Sequence, residues 1–418
     1  MKESVLALLL AGCVETELHR TSGPPAGGDA DPGDPIPFPD DGVDRPETSS
    51  APYGEGWGDP ALEEPGAAEF LFEEGTIHRF DIELDGSARS KLNSDPKTDV
   101  EATFRYGDQS WVVGVHLKGS FSYRPLSGKS SFKIDFGEFV PEQRFHGIRR
   151  LTLNSMVQDR SMIREHVAYQ AYAQMGVPAP RHGYAEVYVN DELYGLYGVL
   201  ETLDGTWAER VFPHDSEGSL YEGGYGVDLE DGDAYDFQLQ RQGDLLEPWT
   251  DVEALIEELD ATPPEEFMAL LEKRFDTKAL FRMWAMDLVS GHRDGYTRRK
   301  NNFLVYHGLR TDTWWMVPWG QDQTMRDGGD VHGNYAGRLA KDCAEVPECQ
   351  ERLDQAILYV ADVWEAWDLY GYAEAAGASI QEACERDPRR ENNCGYESVL
   401  EMIANRPDEV RGMLDMSD

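Results

Sequence analysis

From His78 to Glu201 the chain is written in a two-residue rhythm, and that rhythm limits the fold more than any other feature. Segments 78–84, 100–106, 111–117 and 131–136 each alternate apolar with polar side chains, and 151–154 continues the series. Successive side chains of a strand point to opposite faces, so the pattern predicts an antiparallel sheet with one face in water. Ile163, Val167, Ala168, Ala171 and Tyr172 then recur at helical spacing, between Ser161 as a cap and Gly176 as a stop. Strands return at 184–189 and 194–201, joined through Asn190-Asp191, a pair suited to a tight hairpin. Beyond about residue 205 the period becomes helical, over 250–260, 264–275 and 277–290, with two short strand-like pieces at 302–306 and 314–317. The expectation is an α+β, two-lobed chain: a sheet-rich N-terminal lobe over 69–205 and a mainly helical C-terminal lobe over 206–418.

The first 68 residues read as an address and a tether. Lys2 precedes the apolar run Val5-Leu6-Ala7-Leu8-Leu9-Leu10, and Leu10-Ala11-Gly12-Cys13 resembles a bacterial lipobox. This predicts a signal peptide at 1–12 and a lipidated Cys13 that holds the protein on a membrane of the cell envelope, the outer membrane in a Gram-negative cell because Val14 is not Asp. Ten of the 23 prolines lie between Pro24 and Pro65 among Gly, Asp and Glu, so the stretch 13–68 cannot build a core. Four further cysteines remain, and an even set in an exported chain reads as two disulfides; three connectivities are open, and the local pairing Cys343–Cys349 and Cys384–Cys394 is preferred. A zinc site is the rival, disfavoured because CxxC spacing and nearby paired His are absent.

Charge removes one class of partner. Acidic residues outnumber basic ones 79 to 38, for a formal net charge of -41, a surface that repels nucleic-acid phosphates. Against that background three stretches stand out. Lys129 and Lys133 bracket the start of a strand and supply local positive charge for a polyanion. Gly291-His292-Arg293-Asp294 ends a helix, with Asn301-Asn302 beyond it; an Asp followed by an Asn is how phosphoryl-transfer enzymes place a base and a metal ligand. Trp315-Met316-Val317-Pro318-Trp319-Gly320-Gln321-Asp322 runs a strand into a turn and delivers Asp322, a hard oxygen ligand, to its carboxyl end. Each motif alone also fits a structural role.

Their order, with Glu201 between the lysines and Asp294, is that of a kinase-like phosphotransferase. The chain resembles the CotH kinase family in Val113-Gly114-Val115-His116-Leu117-Lys118-Gly119-Ser120, in Lys129-Ser130-Ser131-Phe132-Lys133-Ile134 and in Leu151-Thr152-Leu153-Asn154-Ser155. The likeness continues through Arg164-Glu165, Tyr194-Gly195-Leu196-Tyr197, Glu201, Asn301-Asn302-Phe303-Leu304-Val305-Tyr306 and Val317-Pro318-Trp319. The resemblance implies an atypical protein-kinase-like fold that binds ATP with Mg²⁺ or Mn²⁺ and phosphorylates an extracytoplasmic protein. It implies phosphate contacts from Lys129 or Lys133, Glu201 near the nucleotide, a role for Arg164, catalysis by Asp294, and metal held by Asn302 and Asp322. One departure bears on catalysis. The family commonly has Pro-Trp-Asp-x-Asp, and Gly320 replaces its first Asp, so Gly320→Asp is expected to strengthen metal-dependent ATP binding. A non-catalytic envelope or coat protein is the competing expectation, and a metal-dependent hydrolase using Asp294 and Asp322 the third.

Overall fold

The structure, a computed structural model, describes residues 68–244, 247–391 and 393–415. The predicted signal peptide, Cys13 and tether lie outside the described residues. The alternating segments become β1 (Ile77–Glu83), β2 (Val100–Tyr106), β3 (Gln109–Lys118), β4 (Ser131–Asp135), β5 (Arg150–Asn154), β6 (His182–Val189) and β7 (Glu192–Glu201). The sheet is antiparallel, as expected, at every pair but one. β1 pairs in parallel with β6, Ile77 opposite Tyr184 through Ile82 opposite Val189, and so closes the order β1-β2-β3-β4-β5-β7-β6 into a barrel. Closure leaves no strand edge for another chain to extend. Phe80, Phe104, Val115, Phe132, Ile134 and Val199 fill the interior. Nor is the outer face uniformly wet: Tyr184, Leu196 and Leu200 are buried with the helices.

Between β1 and β2 runs α1 (Gly86–Ser94), and between β5 and β6 runs α2 (Arg164–Gln174). Ser161 is not the cap of α2. Asp159 takes that part, its carboxylate accepting from the Arg164 backbone N–H at 2.8 Å and from Ser161 N and Oγ. A carboxylate suits the positive end of a helix better than a hydroxyl. Asn190 and Asp191 form the β6–β7 turn with φ of 51° and 64°, and the Asn190 amide bonds both backbone groups of Leu84, tying the hairpin to β1.

The C-terminal part comprises α3 (Gly205–Val211), β8 (Ser219–Gly223), β9 (Gln238–Arg241), α4 (Thr250–Ala261), α5 (Phe267–Arg274), α6 (Thr277–Val289), α7 (Tyr296–Arg299), β10 (Phe303–Gly308), β11 (Thr313–Pro318), α8 (Arg338–Ala344), α9 (Pro347–Ala366), α10 (Leu369–Arg386) and α11 (Glu397–Asp415). It is less purely helical than its periodicity suggests, for β8 and β9 join β10 and β11 in a four-stranded sheet ordered β11-β10-β8-β9. The expected helix from 264 begins as a 3-10 turn, Pro264–Glu266, before α5. The architecture is α+β. Cys343–Cys349 and Cys384–Cys394 are disulfides, as the cysteine count indicated. Among the described residues no helix is long and apolar enough to cross a membrane.

Candidate active site

The helix α6 stops where a buried apolar face meets a loop that must turn sharply. Gly291 sits at φ +62°, and a Cβ there would lie 2.3 Å from the Asp327 carbonyl. The loop His292-Arg293-Asp294-Gly295 is held from below by Asp287, which is buried. Its carboxylate accepts from Tyr172 Oη on α2 (3.2 Å) and from Thr297 on α7, and it faces His292 Nδ1 at 3.2 Å. One acid thus fixes the loop against three elements.

Asp294 and Asn302 are brought together. Asn302 Nδ2 donates to the Asp294 carbonyl at 3.0 Å and to Asp294 Oδ2 at 3.3 Å. Asn302 lies just before β10 with φ 54°, and its own carbonyl accepts from Trp319 N at 3.1 Å, which registers the end of β11 beside it. Gly320 follows, also left-handed at φ +54°, and a Cβ on it would sit 2.5 Å from Asn302 Oδ1. Gly320→Asp therefore puts a side chain on a left-handed backbone and against the Asn302 amide that bonds Asp294.

Asp322 comes next, in the short turn Gln321–Gln323. Loss of water, then the negative charges of Asp159 and Asp294, raise its carboxyl above the usual range, against the pull of His292 and Lys118. Behind it lies Glu165, on the first turn of α2 and buried. Burial and then Asp322 push Glu165 up too, and its partner is the Asn154 amide. This is a set of acids pressed on one another with too little cation to satisfy them.

The cations are across the cleft, on the barrel. Lys118 ends β3 and Lys133 stands mid-β4; neither forms an ion pair among the described residues. Burial, then Lys118, lower the Lys133 ammonium, while Glu222 on β8 opposes them. Glu222 is itself raised by burial, against both lysines. Lys118 also lies 5.8 Å from the Trp319 ring centroid, next to Gly320.

Three expected ligand contacts are engaged elsewhere. Lys129 is fully buried, its Nζ 2.6 Å from Asp387 Oδ2 in the loop closed by Cys384–Cys394. Glu201 is buried between Arg181 (2.8 Å) and Arg210 (2.6 Å). Arg164 is buried against Asp159 at 2.8 Å. All three stand out in sequence because charge within an apolar pattern looks purposeful, and in the structure all three are internally paired. Lys118 and Glu165 fall within the stretches that carry the family likeness, without a role assigned to either, and the sequence pattern does not single out Glu222 or Asp287. Glu165 alone has a local signal, an acid at the start of an apolar helix, which normally marks only the helix dipole. The others emerge from pairings across 100 residues or so of chain.

Asp294, Asn302 and Asp322 offer the hard oxygens that Mg²⁺ or Mn²⁺ prefer, and the raised Asp322 is a carboxyl that a cation would relieve. Among the described residues no three His, Cys, Asp or Glu side chains converge closely enough to cage a metal unaided.

The sequence profile of CotH kinase protein matches residues 115–411, from the end of β3 through most of α11. The chain belongs to the CotH kinase family. Inner spore coat protein H of Bacillus subtilis is 24% identical over 260 residues, covering 59% of this chain and 67% of that protein. Spore coat protein homolog 1 of Rhizopus delemar is 23% identical over 205 residues, covering 47% of this chain and 32% of that one. Among solved structures, the Helicobacter pylori proinflammatory kinase CtkA aligns over 69% of this chain and 95% of its own, at 11% identity and a TM-score of 0.30. In this CotH-family chain Asn302 bonds Asp294, and Gly320 is shaped to the Asn302 side chain.

Proposed function

We propose that the chain is a surface-anchored CotH-type kinase that transfers the γ-phosphate of ATP to a hydroxyl of an extracytoplasmic protein. One observation carries this reading. Two lysines without ion pairs face three carboxyls, Glu165, Asp322 and Glu222, all raised by burial, across the cleft. A divalent cation with a polyphosphate supplies both missing charges at once. Lys118 and Lys133 take the phosphates as point charges. Asp322 and Asn302 hold the ion, which when bound neutralises charge on the phosphoryl group. Asp294, oriented by the Asn302 amide and the Asp287-supported loop, accepts the proton of the acceptor hydroxyl. Lys129, Glu201 and Arg164 keep the lobes and helix in place and do not touch nucleotide.

The extracytoplasmic setting rests on the two disulfides and on the Leu10-Ala11-Gly12-Cys13 signature. Fatty-acid labelling of wild type and Cys13→Ser tests the anchor; an unlabelled wild type removes it. Transfer from γ-labelled ATP, with Mg²⁺ or Mn²⁺ and with Asp294→Asn alongside, tests the activity. The second reading, a binding or coat protein on the same fold, is favoured by Gly320 in place of a family carboxylate. It predicts metal-dependent ATP binding without transfer, or neither.

A further inference from the structure

Beyond the nucleotide cleft, the C-terminal lobe contains a second opening, of about 460 Å³, lined by Gly291, His292 and Arg293 of the catalytic loop, Arg298 and Arg299 of α7, and the Gly328-Gly329-Asp330 and Asn334 segment. It adjoins Asp294 through the loop itself, yet no barrel residue lines it.

Its charge runs against the chain. In a protein with 79 acidic and 38 basic residues, three arginines line one cavity. The two acids that line it are occupied. Asp287 is buried and bonded to Tyr172 and Thr297, and Asp330 accepts from His332 N at 3.0 Å. Arg293 pairs with Asp327 on the rim. Arg298 bonds only carbonyl oxygens, of Gly333 and Asp330, and packs on the Tyr335 ring, so its charge has no bonded carboxylate. Arg299 is exposed and its guanidinium has no ion pair among the described residues; the Asn334 amide is exposed beside it. Arg406 braces the walls from behind, bonding the Leu288 and Gly329 carbonyls at 3.2 and 2.7 Å. The walls are therefore fixed; Arg298 is favoured by the Asp330 and Asp287 charges in the same cavity, and Arg299 is the arginine left open to an anion.

We propose that this cavity is an acceptor subsite that takes an anionic side chain, a carboxylate or a phosphorylated serine, lying a few residues from the hydroxyl to be phosphorylated. Residues of an extended peptide advance about 3.3 Å each, so a side chain two or three positions from the acceptor reaches past the loop while the hydroxyl stays at Asp294. Arginine forks recognise carboxylate and phosphate oxygens bidentately. The assignment of the occupant as the phosphoacceptor rests on the kinase reading above; the binding itself does not.

The test measures binding by fluorescence anisotropy, without ATP, so that it is independent of turnover. The probes are one labelled serine peptide with Glu at the flanking positions, the same peptide with phosphoserine there, and the same peptide with Lys. Wild type should bind the Glu or phosphoserine peptide at least about tenfold more tightly than the Lys peptide, more weakly as salt rises. Arg299→Glu should remove that preference with an unchanged melting temperature, and Arg89→Glu, the same charge change on α1, should not. A preference between the two anionic peptides identifies which anion is used. Equal or tighter binding of the Lys peptide, no binding of any peptide, or an unaltered preference in Arg299→Glu overturns the subsite. Selective binding with no phosphate transfer from ATP would keep the subsite and overturn the kinase reading; transfer without selectivity would do the reverse.

Discussion

Two buried acids on opposite sides of the barrel–helix junction have met opposite fates. Glu201, at the end of β7, lies between Arg181 and Arg210; although burial raises it, the two guanidiniums hold it at about 2. Glu165, at the start of α2, is equally enclosed, but its neighbours are Asp322 and Asp159, and burial and then Asp322 drive it upwards. Desolvation is common to both, so the difference is the company each keeps. A carboxylate with its cations built in is a structural joint. A carboxyl held short of cations waits for a charge from outside, and perturbed groups of that kind gather where ligands bind.

Removing the acid is the bluntest way to break the comparison. Glu201→Gln strands two arginines in the interior and should cost about 3–5 kcal/mol in denaturant unfolding. The pH dependence carries the same contrast. The folded value of Glu201 lies below its ordinary 4.5, so its stabilisation, of about 3 kcal/mol, is complete above that value and is lost as pH falls towards 2. Glu165 has the reverse sign. Its protonated form is the one the fold favours, so its contribution is whole below the ordinary carboxylate range and is lost as pH rises through its elevated value. Unfolding of wild type and Glu165→Gln across pH should show the variant losing less stability than wild type on the alkaline side. An identical slope would mean that Glu165 is ordinary.

Gly320→Asp is a smaller perturbation and a sharper one. The strained backbone and the collision with Asn302 should cost roughly 1–3 kcal/mol of stability and weaken ATP binding, because Asn302 leaves Asp294. Tighter metal-dependent binding in this variant would show that the missing family carboxylate can simply be restored. Glu165→Gln in acid should have the least effect on stability, a change of about 1 kcal/mol or less, since an amide there replaces a carboxyl that is already protonated.

The same contrast explains what can be read from the residues alone. Strand and helix positions follow from periods of two and 3.6, and two disulfides from the parity of the cysteines, which leaves three connectivities open. Closure of the barrel does not, because the β1–β6 pairing joins segments 100 residues apart and leaves no local mark. Asp294, Asn302 and Asp322 are visible as motifs at strand and helix ends, where backbone geometry presents side chains. Lys129 and Lys133, four positions apart around the start of one strand, are not separable by pattern. Lys129 meets Asp387, supplied by a loop near the C-terminus, and Lys133 meets nothing of opposite charge within ion-pair reach among the described residues. Which lysine is free is decided by distant chain, so only the fold distinguishes them. Gly320 reads as a deficit in sequence for the same reason; the Asn302 side chain that fills its space is invisible there.

The central claim, that the unsatisfied acids and the unpaired lysines form one site for a metal–polyphosphate, is tested most directly by equilibrium titration of the chain with ATP, with Mg²⁺ and with chelator. The account predicts binding that requires the metal and that falls by about tenfold or more in Asp322→Asn and in Lys133→Ala. Binding that is indifferent to chelator, or that survives both substitutions unchanged, would contradict it.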